Sequence, residues 1–179
     1  MDRFPPEAVT RARQVRLLLL DVDGVLTDGT IFLDDNGVET KGFSILDGLG
    51  LSLLRKAGLK TGIITGRTSQ VVARRARELE MAHVVQGCGD KGAAAEAILA
   101  QEGLAWEALA YVGDDLIDLP VLERAGLAVV PPGGSTEAKA AAHHVTRSAA
   151  GRGAVREVCE LILKSQELWD AAVGRYRCG

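Results

Sequence analysis

Two aspartates, Asp21 and Asp23, directly follow the apolar run Leu17-Leu18-Leu19-Leu20. Three more, Asp114, Asp115 and Asp118, follow Leu109-Ala110-Tyr111-Val112. Thr65 ends the run Thr61-Gly62-Ile63-Ile64, and Lys91 lies beyond His83-Val84-Val85. Every one of these groups sits just past a segment of strand length. Crowded carboxylates repel and raise one another's pKa unless a cation neutralises them. An all-oxygen set without His or Cys suits a hard ion, and Mg²⁺ takes few carboxylates and pairs them with phosphate. Such an ion leaves one carboxylate oxygen free as a nucleophile and offsets its repulsion by a phosphate. Asp21, at the end of a rigid strand, suits the nucleophile. Asp23, pointing another way, suits a general acid and base. Thr65 and Lys91 offer a donor and a positive charge to phosphoryl oxygens. Singly these residues have plainer readings: an Asp after a strand often caps a helix, as Asp115 or Asp118 could here. It is their joint occurrence, each after its own strand, that points to chemistry.

The elements that position them alternate. Segments 17–20, 61–64, 83–85, 109–112 and 127–130 read as strands buried on both faces. Helical spacing of apolar residues appears over 49–57, 70–79, 93–101 and 119–125, with Gly58, Gly103 and Gly126 at C-terminal stops. The pattern predicts an α/β fold, a doubly wound parallel sheet whose ligand-binding edge lies beyond the strands' carboxyl ends. One segment interrupts it: residues 30–43 read as a β-hairpin flap with Asn36-Gly37 in the turn. A last helix is expected over 155–164, after Gly151-Arg152-Gly153, and an amphipathic tail to about Tyr176. The reading is one domain over residues 1–179, with a C-terminal lid segment and helix at about 148–179.

Composition narrows the classes. The 179 residues are 47% hydrophobic and 25% charged, with a net charge of −3, as in a folded globular chain. No basic block argues for nucleic acid as partner. The run 17–20 is too short to span a bilayer, and Met1-Asp2-Arg3-Phe4-Pro5-Pro6 has no signal-peptide core. Cys88, Cys159 and Cys178 lack metal spacing and read as unpaired thiols, so a cytoplasmic protein with no membrane partner is expected. His83, His143 and His144 have no second ligand at metal spacing.

Asp21-Val22-Asp23-Gly24-Val25-Leu26-Thr27-Asp28-Gly29 resembles the first motif of the haloacid dehalogenase-like phosphatases. Ile64-Thr65-Gly66-Arg67 is similar to their second motif, Lys91 to the third, and Gly113-Asp114-Asp115-Leu116-Ile117-Asp118 to the fourth. The resemblance runs over about residues 16–164. It implies Asp21 as nucleophile through an aspartyl-phosphate, Asp23 as acid and base, and Thr65 and Lys91 as phosphate anchors. It also implies Mg²⁺ held by Asp21, the backbone carbonyl of Asp23, and Asp114. Many members insert a cap domain, for which this chain has no room.

Within that superfamily the chain is similar to the 3-deoxy-D-manno-octulosonate 8-phosphate phosphatases of lipopolysaccharide synthesis. The similarity is carried by Asp47-Gly48, Gly66-Arg67, Gln86-Gly87, residues 111–118, His144-Val145-Thr146-Arg147 and Gly151-Arg152-Gly153-Ala154-Val155-Arg156-Glu157. It implies a homotetramer with hairpins around a central axis and active sites completed by neighbours. It further implies a sugar-phosphate pocket lined by Asp23, Ser44, Ile45, Leu46, Asp47, Gly48, Ser52, Gly66, Arg67, Arg75 and Lys91. Leu46 stands where some relatives carry a basic residue. Arg152, flanked by glycines that allow close backbone approach, is expected to reach into an active site, that of an adjacent subunit by preference. The alternatives are a nine-carbon ulosonate 9-phosphate phosphatase and a non-catalytic assembly domain. The intact set Asp21, Asp23, Thr65, Lys91 and Asp114 argues against the latter.

Overall fold

All four leucines of β1 (Leu17–Leu20) are buried, and they divide between two cores: Leu18 and Leu20 face one, Leu17 and Leu19 the other. A strand buried on both faces belongs at the centre of a sheet. The computed structural model, which describes residues 4–174 and 176, places it there. β1 pairs in parallel with β4 (Lys60–Ile64) on one side and β6 (Leu109–Val112) on the other. β5 (His83–Val85) lies outside β4, while β7 (Leu127–Val130) and β8 (His144–Val145) extend the sheet beyond β6. The order is β5-β4-β1-β6-β7-β8, and every pairing is parallel.

One face is covered by α1 (Pro6–Ala12), α2 (Ile45–Lys56), α3 (Gln70–Glu78), α7 (Ala154–Ser165) and α8 (Trp169–Gly174). The other is covered by α4 (Lys91–Glu102), α5 (Leu119–Leu122) and α6 (Thr136–Ala141). The doubly wound α/β sheet is thus the observed architecture. Between β1 and α2 the chain makes only a hairpin of β2 (Phe32–Leu33) and β3 (Glu39–Thr40), and between β4 and β5 only α3. No cap is inserted. The hairpin turn is held by Asp34, whose Oδ1 accepts from Asn36 N at 2.9 Å and Val38 N at 2.7 Å.

Three elements were not expected. α1 and α6 bury little but alanine, and so show no apolar stripe in sequence. β8 is two residues long, too short for a periodicity signal. It is fixed by Glu157 of α7, whose carboxylate faces His144 Nε2 at 3.1 Å and accepts from Arg147 N and Ser148 N at 3.1 Å each. Burial alone would raise the Glu157 pKa, yet these donors hold it down at about 2. α2 begins at Ile45, earlier than the expected Leu49, because Ser44 caps it by accepting from Asp47 N at 3.3 Å. Cys88 and Cys159 are free thiols; Cys178 lies outside the described residues. Among the described residues no helix is long and apolar enough to cross a membrane.

α2 and α7 pack closely, with the Gly50 position only 3.1 Å from Arg156 Cα for any added Cβ. Gly153, at the N-cap of α7, has no side chain with which to cap the helix. Asp47 of α2 serves instead: its carboxylate, 1% exposed, accepts from Arg156 N at 2.8 Å and Gly153 N at 3.3 Å. Asp47→Ala would leave these donors buried without a partner, a loss of about 1–3 kcal/mol. Thermal melts should show the variant several degrees less stable than the parent. An unchanged melting temperature would mean that Asp47 does not hold the two helices together.

Candidate active site

Strands β1, β4 and β6 deliver their next residues to one edge. Asp21 N continues the ladder to Val112 O at 2.9 Å, and Thr65 N continues it to Val85 O at 3.0 Å, so both residues are fixed by sheet hydrogen bonds. Asp21 and Thr65 are buried, at 4% and 3% exposure. Lys91 opens α4 behind the capping residue Asp90, and its ammonium turns inward. Lys91 Nζ lies 2.9 Å from Asp21 Oδ1 and 2.7 Å from Asp118 Oδ1. Asp118 also accepts from Tyr111 Oη at 2.6 Å and from the amides of Asp114 and Asp115 at 2.9 and 3.2 Å. Asp118 is therefore the brace of the loop after β6, whereas exposed Asp115 caps the following 3₁₀ turn through Leu116 N at 2.8 Å.

Asp21, Asp114 and Asp118 each bring a carboxylate oxygen within 4.8 Å of the others. Three carboxylates face one ammonium, an excess of negative charge that matches a divalent ion. Burial pushes Asp21 up to about 6, with Asp118 adding to the rise and Lys91 opposing it. Burial pushes Asp114 up to about 7, reinforced by Asp21, Asp118 and Asp115. Burial by itself would lower the Lys91 pKa, but Asp21 and Asp118 carry it above the ordinary value. Asp118 already has two donors on Oδ2 and two on Oδ1, so Asp21 and Asp114 are the carboxylates with capacity for a metal. The turn leaves a backbone ligand as well. Val22 O collects the amides of Val25, Leu26 and Thr27, whereas the Asp23 carbonyl accepts none among the described residues. Gly24 keeps this space open: its φ is +91°, and a Cβ there would fall 2.1 Å from Asp114 Oδ2. The donor set fits Mg²⁺, a hard oxygen-seeking ion.

Asp23 is half-buried and points to the flap. Its Oδ1 contacts Lys41 Nζ; its Oδ2 makes no hydrogen bond, with Arg67 Nε 3.7 Å away. Arg67 Nη2 reaches Glu39 Oε1 at 3.1 Å, and Ser69 Oγ contacts Glu39 Oε2. Sequence reasoning missed Lys41, Glu39 and Ser69. The available signal was the hairpin's period of two, which puts Glu39 and Lys41 on one face.

A cleft of about 460 Å³ is lined by Asp28, Gly42, Phe43, Ser44, Leu46, Gly151 and Arg152. It gathers three of the expected pocket residues: Ser44, Leu46 and Arg152. Arg152 meets its own chain's cleft because Gly151, at φ +63°, lies so close that a Cβ would be 2.7 Å from Asp28 N. Gly151 N also donates to Val25 O at 3.1 Å. Gly66 and Lys91 line a neighbouring cleft of about 420 Å³ with Cys88, Gly89, Asp90, Ile117 and Pro120. Of the other expected pocket residues, Asp23 and Arg67 meet at the flap, and the rest lie outside both clefts. Asp47 is corrected to a helix-capping role, since both its oxygens are spent on α7. Gly48 is buried against Arg75 Nη2, which leaves no surface for a ligand. Arg75 stacks 5.8 Å from the Phe43 ring centroid and pairs with Glu78 at 3.4 Å. Ile45 is 85% exposed, and half-buried Ser52 lies a turn beyond Gly48; neither lines either cleft.

Known proteins share this fold. The sequence profile of the haloacid dehalogenase-like hydrolases matches residues 78–158. The 3-deoxy-D-manno-octulosonate 8-phosphate phosphatase of Salmonella typhimurium is 44% identical over 170 residues, covering 95% of this chain and 90% of that protein. The crystal structure of the same-named enzyme from Moraxella catarrhalis, in complex with magnesium ion, phosphate ion and KDO, superposes with a TM-score of 0.94 at 42% identity, covering 96% of this chain and 98% of that one. The cobalt-bound form of the corresponding phosphatase from Haemophilus influenzae superposes with a TM-score of 0.87 at 33% identity, over 93% of this chain and 99% of that one.

The raised pKa values of Asp21 and Asp114 set a pH dependence for the metal-free chain. Above the unfolded carboxylate range and below about 6 to 7, the folded protein binds protons that the unfolded chain has released. Their contribution is thus present at low pH and lost as pH rises through the folded values. Melts in a chelator should fall between about pH 5 and about pH 8, and Mg²⁺ should raise the melting temperature far more at the upper end. Equal stabilisation by Mg²⁺ at both ends would show that these carboxylates do not hold it.

Proposed function

The chain belongs to the haloacid dehalogenase-like hydrolases, among the 3-deoxy-D-manno-octulosonate 8-phosphate phosphatases, and we propose that it hydrolyses that sugar-acid phosphate to 3-deoxy-D-manno-octulosonate and phosphate. The observation that carries the reading is the Asp21–Lys91–Asp118 cluster beside Asp114 at the carboxyl end of β1. Asp21 is the nucleophile. Its carboxylate oxygen forms a bond to phosphorus as the ester P–O bond breaks, giving an aspartyl-phosphate. Asp23 gives a proton to the departing sugar oxygen, then takes one from the water that attacks the aspartyl-phosphate, releasing phosphate and restoring Asp21. Lys91 and Thr65 hold the phosphoryl oxygens while charge shifts among them. Asp21, Asp114 and the Asp23 carbonyl would hold Mg²⁺, which supplies neutralisation of the carboxylate–phosphate repulsion.

Arg67 and Arg152, both exposed and cationic, offer the groups that would recognise a sugar carboxylate, with Ser44 and Leu46 beside Arg152. Asp28 stands in the same cleft and limits where that carboxylate can lie. We further propose a homotetramer in the cytoplasm serving lipopolysaccharide synthesis. The flap supports association, since Phe32, Leu33 and Val38 are 59%, 65% and 59% exposed, a larger apolar surface than an isolated hairpin would keep in water. Light scattering on the purified chain should give four times the 18.9 kDa protomer; a monomer at assay concentration would refute the tetramer.

Phosphate release from a panel of sugar phosphates with Mg²⁺ present tests the function, the octulosonate 8-phosphate being expected to lead the panel. Asp21→Asn should remove essentially all turnover, because an amide does not attack phosphorus and the uncatalysed reaction is among the slowest, with accelerations of up to ~10²¹-fold. Residual activity within about tenfold of the parent would exclude the covalent route. Arg152→Ala should raise KM for the ulosonate phosphate and leave p-nitrophenyl phosphate nearly unaffected. Equal loss on both substrates would remove Arg152 from sugar recognition.

A further inference from the structure

Lys41 sits at the end of the flap's return strand, and its side chain is completely buried. Lysines are almost never fully buried unless paired, because taking the ammonium out of water costs several kcal/mol. Two-residue strands give a hairpin little stability of its own, so nothing in the flap alone would favour this placement. What meets the ammonium is a pair of carboxylates: Asp23 Oδ1 in contact, and Glu39 Oε1 at 3.5 Å. Glu39 is itself held by Arg67 and by Ser69, whose amide is fixed by Gln86 Oε1 at 2.7 Å. The chain of contacts therefore runs from β5's end through the flap to Asp23.

Asp23 is held asymmetrically. One oxygen is tied to Lys41, while the other makes no hydrogen bond and faces only the Arg67 guanidinium, whose Nε lies 3.7 Å away. A carboxylate fixed through one oxygen presents its second in a single orientation, which is what proton transfer to a leaving oxygen needs. We propose that Lys41 is a positioning residue for Asp23, fixing the carboxyl group so that its free oxygen meets the leaving alkoxide, and that Glu39 orients Lys41 in turn. This rests on the phosphatase reading. The step it serves is the first one: the ester P–O bond breaks, its electron pair stays on the sugar oxygen, and the proton comes from Asp23.

The consequence depends on the leaving group. A sugar alkoxide needs that proton, whereas p-nitrophenolate departs without it. The test compares kcat/KM, which reports steps up to aspartyl-phosphate formation, for the parent, Lys41→Met, Lys41→Arg and Glu39→Gln. The substrates are p-nitrophenyl phosphate and whichever alkyl phosphate the parent turns over best, so an error about the sugar leaves the comparison intact. Lys41→Met should lose roughly 100-fold more on the alkyl phosphate than on the aryl one, within the range that general acid catalysis supplies. Lys41→Arg should recover much of that difference, and Glu39→Gln should show a smaller loss with the same bias. Equal losses on both substrates, in variants whose melts match the parent, would overturn the proposal. So would an alkyl-to-aryl ratio unchanged in Glu39→Gln if Lys41→Met fails to fold.

Discussion

The Lys91 ammonium lies between Asp21 and Asp118, 3% exposed, and the carboxylates around it could not share this space without it. Its position at the first turn of α4 sets a cation against the positive end of a helix, an unfavourable term of about 0.3–1 kcal/mol. Stranding the two buried carboxylates would cost several kcal/mol, so the ion pairs win. The same contacts shape the loop after β6. Asp118 is saturated by Lys91, Tyr111 and two backbone amides, and this brace leaves the Asp114 carboxylate on the side of Asp21. Tyr111 is drawn in as well: burial and the nearby Asp118 charge raise its pKa well above normal, which keeps the phenol a donor.

Much of this was legible in the residues. Strands buried on both faces announce themselves as short continuous apolar runs, and β1, β4, β6 and β7 do so. β5, which its apolar residues also predict to be buried on both faces, instead forms an edge of the sheet with Val84 44% exposed. The groups after β1, β4 and β6 inherit their neighbourhood from strand order, which the alternating pattern implies. What escaped depends on contacts that leave no periodicity. β8 has two residues, and its place is decided by Glu157 ten or more positions away. Resemblance to the octulosonate phosphatases puts Asp47 in the pocket, yet a helix packing more than a hundred residues later claims its carboxylate. Lys41 was hidden for a related reason. An exposed hairpin does not advertise a buried ammonium, and only the register of the flap on Asp23 reveals it.

The hairpin thus has two unlike faces. One, with Lys41 and Glu39, is polar and turned to Asp23, Arg67 and Ser69. The other offers Phe32 and Val38 to its surroundings, while exposed Leu33, paired across the hairpin with Glu39, edges the polar face. In a chain without a cap, a flap that touches Asp23 on one side can carry contacts made on its other side toward the reacting atoms.

The cap that Asp47 places on α7 also works as a calliper. Ser44 and Leu46, at the start of α2, form one wall of the larger cleft, and Gly151 and Arg152, just before α7, form the other. Asp47 bonds across that division to Gly153 and Arg156, a few residues from each wall. The spacing between the walls is therefore set by a carboxylate that lines neither. Accommodating a bulkier or slimmer ligand by changing the lining alone would leave this gauge untouched, so the size range of the cleft is inherited from helix packing behind it.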